Sequence, residues 1–332
     1  MTRGIVRSPF GVMPDGTPVD VFTLTNGAGT SVRVLELGGI VQSVRAPDRA
    51  GALANVVLGF EDLAGYLGDR NYIGALIGRF AGRIAGARYH EAGRTYVLAA
   101  NDGDAILHGG PRGFDKAVWR GRICDEGKRV RLHHVSPDGD QGFPGELAVE
   151  ATFELTEANA IVLTFSATTS GPTVINLTHH GYWNLTGQGA VRDHRLSVHA
   201  DEVLEVDAVM APTGRLTPVE GGPLDLRRPR RIGEIVDALG GVDYTFILRG
   251  GAWLADPASG RTLEVWTTEP GLTVYTANQF ETGGPHPRFG GVALESEHFP
   301  DSPNHPAFPS TALWPGQTFF SRTVFTLGVE GP

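Results

Sequence analysis

Apolar and polar residues alternate with a period of two through much of the chain. Leu147, Val149, Ala151, Phe153 and Leu155 interleave with Ala148, Glu150, Thr152 and Glu154. Ile161, Leu163, Phe165 and Ala167 then interleave with Val162, Thr164 and Ser166, after the polar turn Glu157, Ala158, Asn159. Successive side chains of a strand point to opposite faces, so this pattern predicts an antiparallel hairpin with one face on a core and one in water. Similar runs occupy residues 21–24, 31–37, 40–45, 88–98, 129–135, 261–267, 272–276 and 318–327, with Gly, Pro, Asn and Asp between them. Helical spacing is confined to residues 61–67 and 231–239. Many short strands with turn-rich connections predict an all-β sandwich or barrel, not a parallel α/β sheet. Two connections, residues 60–87 and 103–119, are too long for hairpin turns. Long ordered loops on a rigid β scaffold tend to carry function.

Composition narrows the class. Of 332 residues, 41% are hydrophobic, enough for a buried core, which excludes a disordered chain. The mean hydropathy of −0.10 and the lack of a long apolar run exclude a spanning helix. The net charge of −9 argues against nucleic acid or an anionic membrane as the partner. Cys124 is the lone cysteine, so it forms no internal disulfide and no thiolate zinc site. With no apolar stretch of signal-peptide length after the charged start, the chain reads as cytoplasmic. Length alone suggests about two domains. The absence of a linker, a low-complexity tract or a repeat favours one domain over residues 1–332.

Several places could carry chemistry. Residues 173–185, TVINLTHHGYWNL, read as extended. Ile175, Leu177, His179, Trp183 and Leu185 then share one face, and Val174, Asn176, Thr178, His180, Tyr182 and Asn184 the other. His180 thus joins a polar row, which either faces water or projects into a polar pocket as a proton donor or acceptor. In GVALESEHF, residues 291–299, Val292 and Leu294 face a core while Ala293, Glu295 and Glu297 face away. The two carboxylates, roughly 6.5–7 Å apart, are either a solvated strand face or a general base whose proton affinity its neighbour raises. His108 in ILHGG is followed by glycines that permit close approach. Asp243 in GGVDYTF reads first as a turn residue, and residues 227–231, RRPRR, as a solvated basic loop or a phosphate site. Trp119, Trp183 and Phe299 read as core aromatics before sugar-stacking ones. No P-loop, dinucleotide fingerprint or metal motif appears.

Together these segments resemble the aldose 1-epimerase (mutarotase) family. The matching stretches are NVVLGFEDLAGYL (55–67), GALIGRFAGRIAGARY (74–89), NDGDAILHGGPRGFDKAVW (101–119), NLTHHGYWNLTG (176–187), GGVDYTFIL (240–248), PGLTVYTAN (270–278), LESEHFPDSPNHPAFPS (294–310) and LWPGQ (313–317). They stand in family order across nearly the whole chain. The resemblance implies a single large antiparallel β-sandwich (the mutarotase-like supersandwich) with few short helices, an open cleft on one sheet, and no metal or organic cofactor. It implies a free monosaccharide as substrate for a monomer or homodimer. It places the family's catalytic base on Glu295 and its acid on His180. It places His108 near the ring oxygen, and Arg83 and Asp243 on sugar hydroxyls. Four positions depart from the family pattern: Gly82 stands for Asn, Thr273 for Gln, Tyr244 for a frequent His, and Glu297 for a common Gln. Gly82 and Thr273 lie near the sugar hydroxyls, so the preferred sugar stays open; if Gly82 opens space or removes a hydroxyl contact, Gly82→Asn should shift preference toward galactose. The expected reaction is interconversion of the anomers of a free aldose. The competing readings are a hexose-phosphate 1-epimerase using residues 227–231, a non-catalytic sugar-binding protein, and a glycosidase using the Glu295/Glu297 pair.

Overall fold

In the computed structural model, which describes residues 4–91, 93–281 and 283–331, the expected hairpin is formed by strands Leu147–Leu155 and Ala160–Thr169. They pair antiparallel from Leu147 opposite Thr169 to Leu155 opposite Ile161. Leu147, Val149, Ala151 and Phe153 are buried, so the alternation reports the core face. The hairpin belongs to a thirteen-stranded sheet. Its main path runs from Arg120–Cys124 through the hairpin to Phe319–Val329, Arg261–Thr267, Asp243–Ala255, Gly271–Tyr275, Val292–Glu297 and Tyr182–Trp183. A five-stranded sheet, Gly4–Val12, Pro18–Thr25, Ser31–Leu35, Val41–Pro47 and Leu53–Asn55, pairs in sequence order. Phe22, Leu24, Val32, Val34, Val41 and Val44 of this sheet join Leu132, Val149, Ala151, Phe165, Leu263 and Phe325 of the larger one in one apolar cluster. The architecture is therefore an antiparallel sandwich, held by burial between two inner faces. Among the described residues the two α-helices, Leu63–Gly68 and Ile232–Leu239, are short.

The run at 88–98 forms two strands, Arg88–Glu91 and Arg94–Val97, rather than one. Gly93, at φ 75°, makes the turn between them, a conformation that β-branched residues avoid. Strand Asp243–Ala255 changes partners along its length. Residues 243–247 pair with Gly271–Tyr275, and residues 252–255 pair with Arg261–Thr267. Gly251 sits at the switch, where an added Cβ would lie 2.2 Å from the Val265 carbonyl oxygen. The switch places Asp243, Thr245, Thr273, Tyr275 and Glu295 on adjoining strands.

The two long connections fold over that part of the sheet. Ile106–Leu107 pairs with Arg83–Ile84, which clips one connection to the other. Arg79 pins the segment from beneath. Its buried guanidinium donates to Ser136 Oγ (2.7 Å) and to the carbonyls of Ser136 (2.7 Å), Pro137 (2.8 Å) and Pro144 (3.0 Å). Burial pulls its pKa down to about 10, so it stays cationic at neutral pH. Arg79→Met strands four acceptors in the interior and is expected to cost about 3–5 kcal/mol. The readout is a lower urea midpoint at unchanged m-value; an unchanged midpoint contradicts the pinning role.

Candidate active site

Residues from both long connections and from the sheet face line one pocket. The connections supply Arg70, Asn71, Tyr72, Gly82, Arg83, Leu107 and His108. The sheet and its neighbours supply His180, Tyr182, Asp243, Thr245, Thr273, Tyr275, Glu295 and Glu297. Val206, Met210, Pro212, Gln279 and Pro300 complete the wall. Every residue proposed from the sequence as catalytic or sugar-binding (Glu295, His180, His108, Arg83, Asp243, Gly82 and Thr273) lies on this wall.

The segment 173–185 is not one extended strand. It is broken into Thr173–Val174, Thr178–His179 and Tyr182–Trp183, each paired with a different partner. Its polar row faces neither water nor a single pocket. Asn176 is buried and bonds the Ala81 and His298 carbonyls, and Asn184 bonds the Gln188, Gly189 and Gly290 carbonyls. These amides hold loops in place, while His180 and Tyr182 reach the pocket. His179 points into the core against Phe325. The division between the two histidines therefore follows the expected faces, although the strand is interrupted.

His180 Nε2 stands 3.4 Å from Glu295 Oε1, and both side chains are nearly sealed from solvent. Tyr182 (ring centroids 4.8 Å), His108 (5.2 Å) and Tyr72 (5.9 Å) enclose the imidazole. This apolar surround removes water from the charged form and brings His180 down to about 3. Burial, then the nearby Glu297 and Asp243 carboxyls, pushes Glu295 well above the carboxylate range. Both charges are thus disfavoured, which favours a carboxylic acid beside a neutral imidazole. Glu295 Oε2 and His180 Nδ1 have no hydrogen-bond partner among the described residues. On the pocket wall, the open carboxyl oxygen of Glu295 can meet a polar ligand.

His108 is fixed in one tautomer. The Gly82 backbone N–H donates to His108 Nδ1 (3.1 Å), and the His108 backbone N–H donates to the Gly82 carbonyl (3.1 Å). Nδ1 is therefore an acceptor, and the ring proton of the neutral form sits on Nε2. Burial, with His180 and Arg83 nearby, lowers the pKa well below the ordinary value, so His108 is a neutral N–H donor. Donor atoms of His108, His180 and Glu295 lie within 4.8 Å of one another, a spacing that also suits a transition metal. A metal-bound imidazole normally donates through its second ring nitrogen. In His108 that nitrogen accepts instead, which fits hydrogen bonding to a ligand better than metal ligation. Tyr72 and His108 both have left-handed backbones, φ 55° and 52°, and their rings meet edge to face at 4.7 Å. Such strain in non-glycine residues tends to gather where a site must be held in one geometry.

Gly82 opens no space. Its φ is 74°, and an added Cβ would lie 2.6 Å from Pro300 Cγ. Its contribution to the site is the backbone N–H that sets the His108 tautomer. Arg83 Nε donates to Asp102 Oδ2 (2.7 Å), which aims the guanidinium along the wall. Burial raises Asp243, against the pull of Arg83. Asp243 is the first residue of its strand and faces the pocket, not a turn residue alone. Tyr244, the next residue, packs against the core, so its departure from the family pattern does not touch the pocket. Trp119 and Trp183 lie in the main core, and Phe299 packs with Leu204 and Phe308. In the basic run, Arg227 is held by Asp225 (2.8 Å) and Arg231 by Asp193 (2.6 Å). Among the described residues, none of 227–231 lines the pocket. Tyr72, Tyr275 and Thr245 were not singled out from the sequence. Strand alternation from Asp243 puts Thr245 on the same face, a signal strong enough to have found it.

Glu297 is buried, and burial raises its pKa from 4.5 to about 8. The native protein therefore keeps a proton that the unfolded chain releases near pH 4.5. The stability this confers is full below pH 4.5 and is lost as the pH rises through about 8. Glu297→Gln, a near-isostere of the protonated form, is expected to remove this dependence. Melting temperatures of the two proteins should converge at pH 4.5 and separate toward pH 8, with the wild type lower. Parallel curves over that range contradict the shift.

Comparison with known proteins gives a consistent set of matches. The family described as aldose 1-epimerase matches residues 20–326. The chain is 38% identical to the galactose mutarotase of Homo sapiens, covering 98% of this chain and 99% of that one. It is also 38% identical to the aldose 1-epimerase of Escherichia coli K12, over 96% and 97%. The crystal structure of galactose 1-epimerase from Lactobacillus acidophilus superposes with a TM-score of 0.90 at 28% identity, covering 99% and 100%.

Proposed function

The chain belongs to the aldose 1-epimerase family, and from that premise we propose that it interconverts the α and β anomers of a free aldose by acid–base ring opening at Glu295 and His180. The observation that supports these roles most directly is the buried contact of 3.4 Å between a carboxyl and an imidazole, each with an open polar atom.

Beyond the N–H of the neutral imidazole, the pair shares one transferable proton. A bound sugar donates its anomeric hydroxyl to Glu295 and offers its ring oxygen to His180. Both contacts favour the charged forms, so binding moves the proton onto His180 and ionises Glu295. Glu295 then takes the proton of the anomeric hydroxyl while His180 gives its own to the ring oxygen, and the bond between C1 and the ring oxygen breaks. This leaves an open-chain aldehyde, a neutral carboxylic acid and a neutral imidazole. Desolvation favours that arrangement of the pair, so the shifts on both residues drive the proton transfers of ring opening. Rotation about C1–C2 presents the other face of the carbonyl. Glu295 returns its proton to the carbonyl oxygen, His180 takes the hydroxyl proton, and the ring closes as the other anomer. His108, a fixed donor, hydrogen-bonds near the ring oxygen, and Arg83 and Asp243 hold sugar hydroxyls. Each proton-transfer group contributes about 10²–10⁴-fold.

The other readings draw less support. In the basic run Arg227 and Arg231 are engaged with acidic side chains, and none of residues 227–231 lines the pocket of Glu295 and His180, so a phosphate held there would lie outside this site. A sugar-binding protein has no use for a proton-sharing pair. The Glu295/Glu297 pair would suit a glycosidase, but a reaction run by two carboxyls leaves the buried contact of 3.4 Å between Glu295 and His180 without a role. Polarimetry on fresh α-glucose, α-galactose, α-xylose and α-arabinose, with glucose 6-phosphate and a methyl glycoside beside them, separates these readings. Accelerated mutarotation of free sugars with an inert methyl glycoside is the expected result. Glycoside hydrolysis, or acceleration of the phosphate ester alone, would replace the proposal.

A further inference from the structure

Glu297 shares the pocket face of strand Val292–Glu297 with Glu295, one two-residue step further along. Its Oε1 ends a chain of hydroxyls. Thr273 Oγ1 donates to it at 2.6 Å, and Thr245 Oγ1 lies 2.7 Å from Thr273 Oγ1. A hydroxyl has one proton, and that of Thr273 is spent on Glu297, so Thr245 donates to Thr273. This chain fixes the rotamer of Glu297. Its Oε2 is left buried and without a hydrogen-bond partner among the described residues. Thr245 and Thr273 lie at the level of Glu295, and Asp243 lies one step to the other side. Glu297 therefore serves a part of the pocket that Asp243 does not reach. Gly271 stands opposite it, close to Thr245 and Phe299, where the apolar cluster of Leu204, Phe299 and Phe308 begins.

We propose that Glu297 is a specificity-determining residue that hydrogen-bonds one hydroxyl of the bound aldose through Oε2, on the flank of Glu295 away from Asp243. The proposal rests on the reading of this pocket as an aldose site. A buried carboxyl oxygen without a partner is costly, and a sugar hydroxyl supplies the missing contact. The groups around it are acidic. Glu295 and Asp243 face the pocket, and Glu269, held by His298 Nδ1 at 2.5 Å, lies behind. Burial first, and then the Glu269 and Asp243 carboxyls, push Glu297 up to about 8, so it is protonated at neutral pH. Since Oε1 accepts from Thr273, the proton sits on Oε2, which donates to the sugar oxygen at neutral pH. Glutamine places an N–H donor at the same point, and alanine places nothing there.

The test is a matrix of enzyme variants against sugars. Mutarotation is measured for glucose and its 2-, 3-, 4- and 6-deoxy analogues with wild type, Glu297→Ala and Glu297→Gln. In the wild type, the deoxy sugar that lacks the hydroxyl bonded by Glu297 is expected to lose roughly 10–100-fold in kcat/KM, the effect of one buried polar group left without its partner. In Glu297→Ala that ratio collapses to about one, chiefly through KM for the parent sugar. Glu297→Gln keeps most of the ratio. Ratios that stay at their wild-type values in Glu297→Ala overturn the proposal. So does an equal fall in kcat on every sugar, which would mean that Glu297 acts only through Glu295. If Glu297→Ala does not fold, Thr273→Val frees the carboxyl from its anchor and must weaken discrimination at the same hydroxyl. If the wild type accelerates no sugar, the epimerase reading fails separately, and the same matrix measured as Kd decides the role of Glu297.

Discussion

Glu295→Gln is expected to lower kcat by about 10³-fold while the Kd for the sugar changes by no more than a few-fold. The amide keeps the shape of the carboxyl and one acceptor oxygen, so the pocket and its contacts persist. It cannot take the proton of the anomeric hydroxyl, and an acid–base group contributes about 10²–10⁴-fold. Glu297 cannot substitute, because a two-residue step along a strand puts it roughly 6.5–7 Å away from the position of Glu295. Polarimetric kinetics give kcat and titration calorimetry gives Kd. Retention of wild-type kcat removes Glu295 from the chemistry.

His180→Asn is expected to lose a comparable 10²–10⁴-fold, again in kcat and not in affinity. Asparagine can hydrogen-bond a ring oxygen but cannot carry a proton to it. The pH profile adds a second signature. A second proton on the pair gives a carboxylic acid beside an imidazolium, which cannot accept the anomeric proton. In the free enzyme this happens only as the pH falls toward the lowered value of His180, about 3. The acid limb of kcat/KM, which reports the free enzyme, should therefore lie well below pH 6.5. The acid limb of kcat should lie higher, because the bound sugar supports the charged imidazolium. If His180→Asn alters KM alone, the residue binds and does not transfer protons.

The sequence carried the fold in its alternation. The strands at 147–155, 261–267 and 271–275 lie within a residue or two of the apolar runs, because each has one buried face and one solvated or pocket face. It carried less of segment 173–185. There the row of Asn176, Thr178, His180, Tyr182 and Asn184 is polar yet wholly buried, and periodicity cannot separate a wet face from one satisfied by internal carbonyls. His108 and Glu295 were found through their segments and through the strand face. The role of Gly82 was not legible, because it rests on a backbone N–H and on the proximity of Pro300, neither of which a residue type reveals. Tyr72 was also hidden, since a left-handed tyrosine in a long connection leaves no pattern. The orientation of Glu297 depends on Thr245 and Thr273, which lie on two neighbouring strands, so only the assembled sheet exposes it.

The central claim is that one proton-sharing pair opens and closes the sugar ring. Two-dimensional exchange spectroscopy on the anomeric protons of an aldose at equilibrium tests it most directly, since it reads interconversion of the two rings without net reaction. The account predicts strong cross-peaks between the α and β resonances with the wild-type protein. It predicts none above the uncatalysed background with Glu295→Gln at a concentration where calorimetry shows the sugar bound. Cross-peaks of equal strength in both proteins, or none in the wild type, would contradict it.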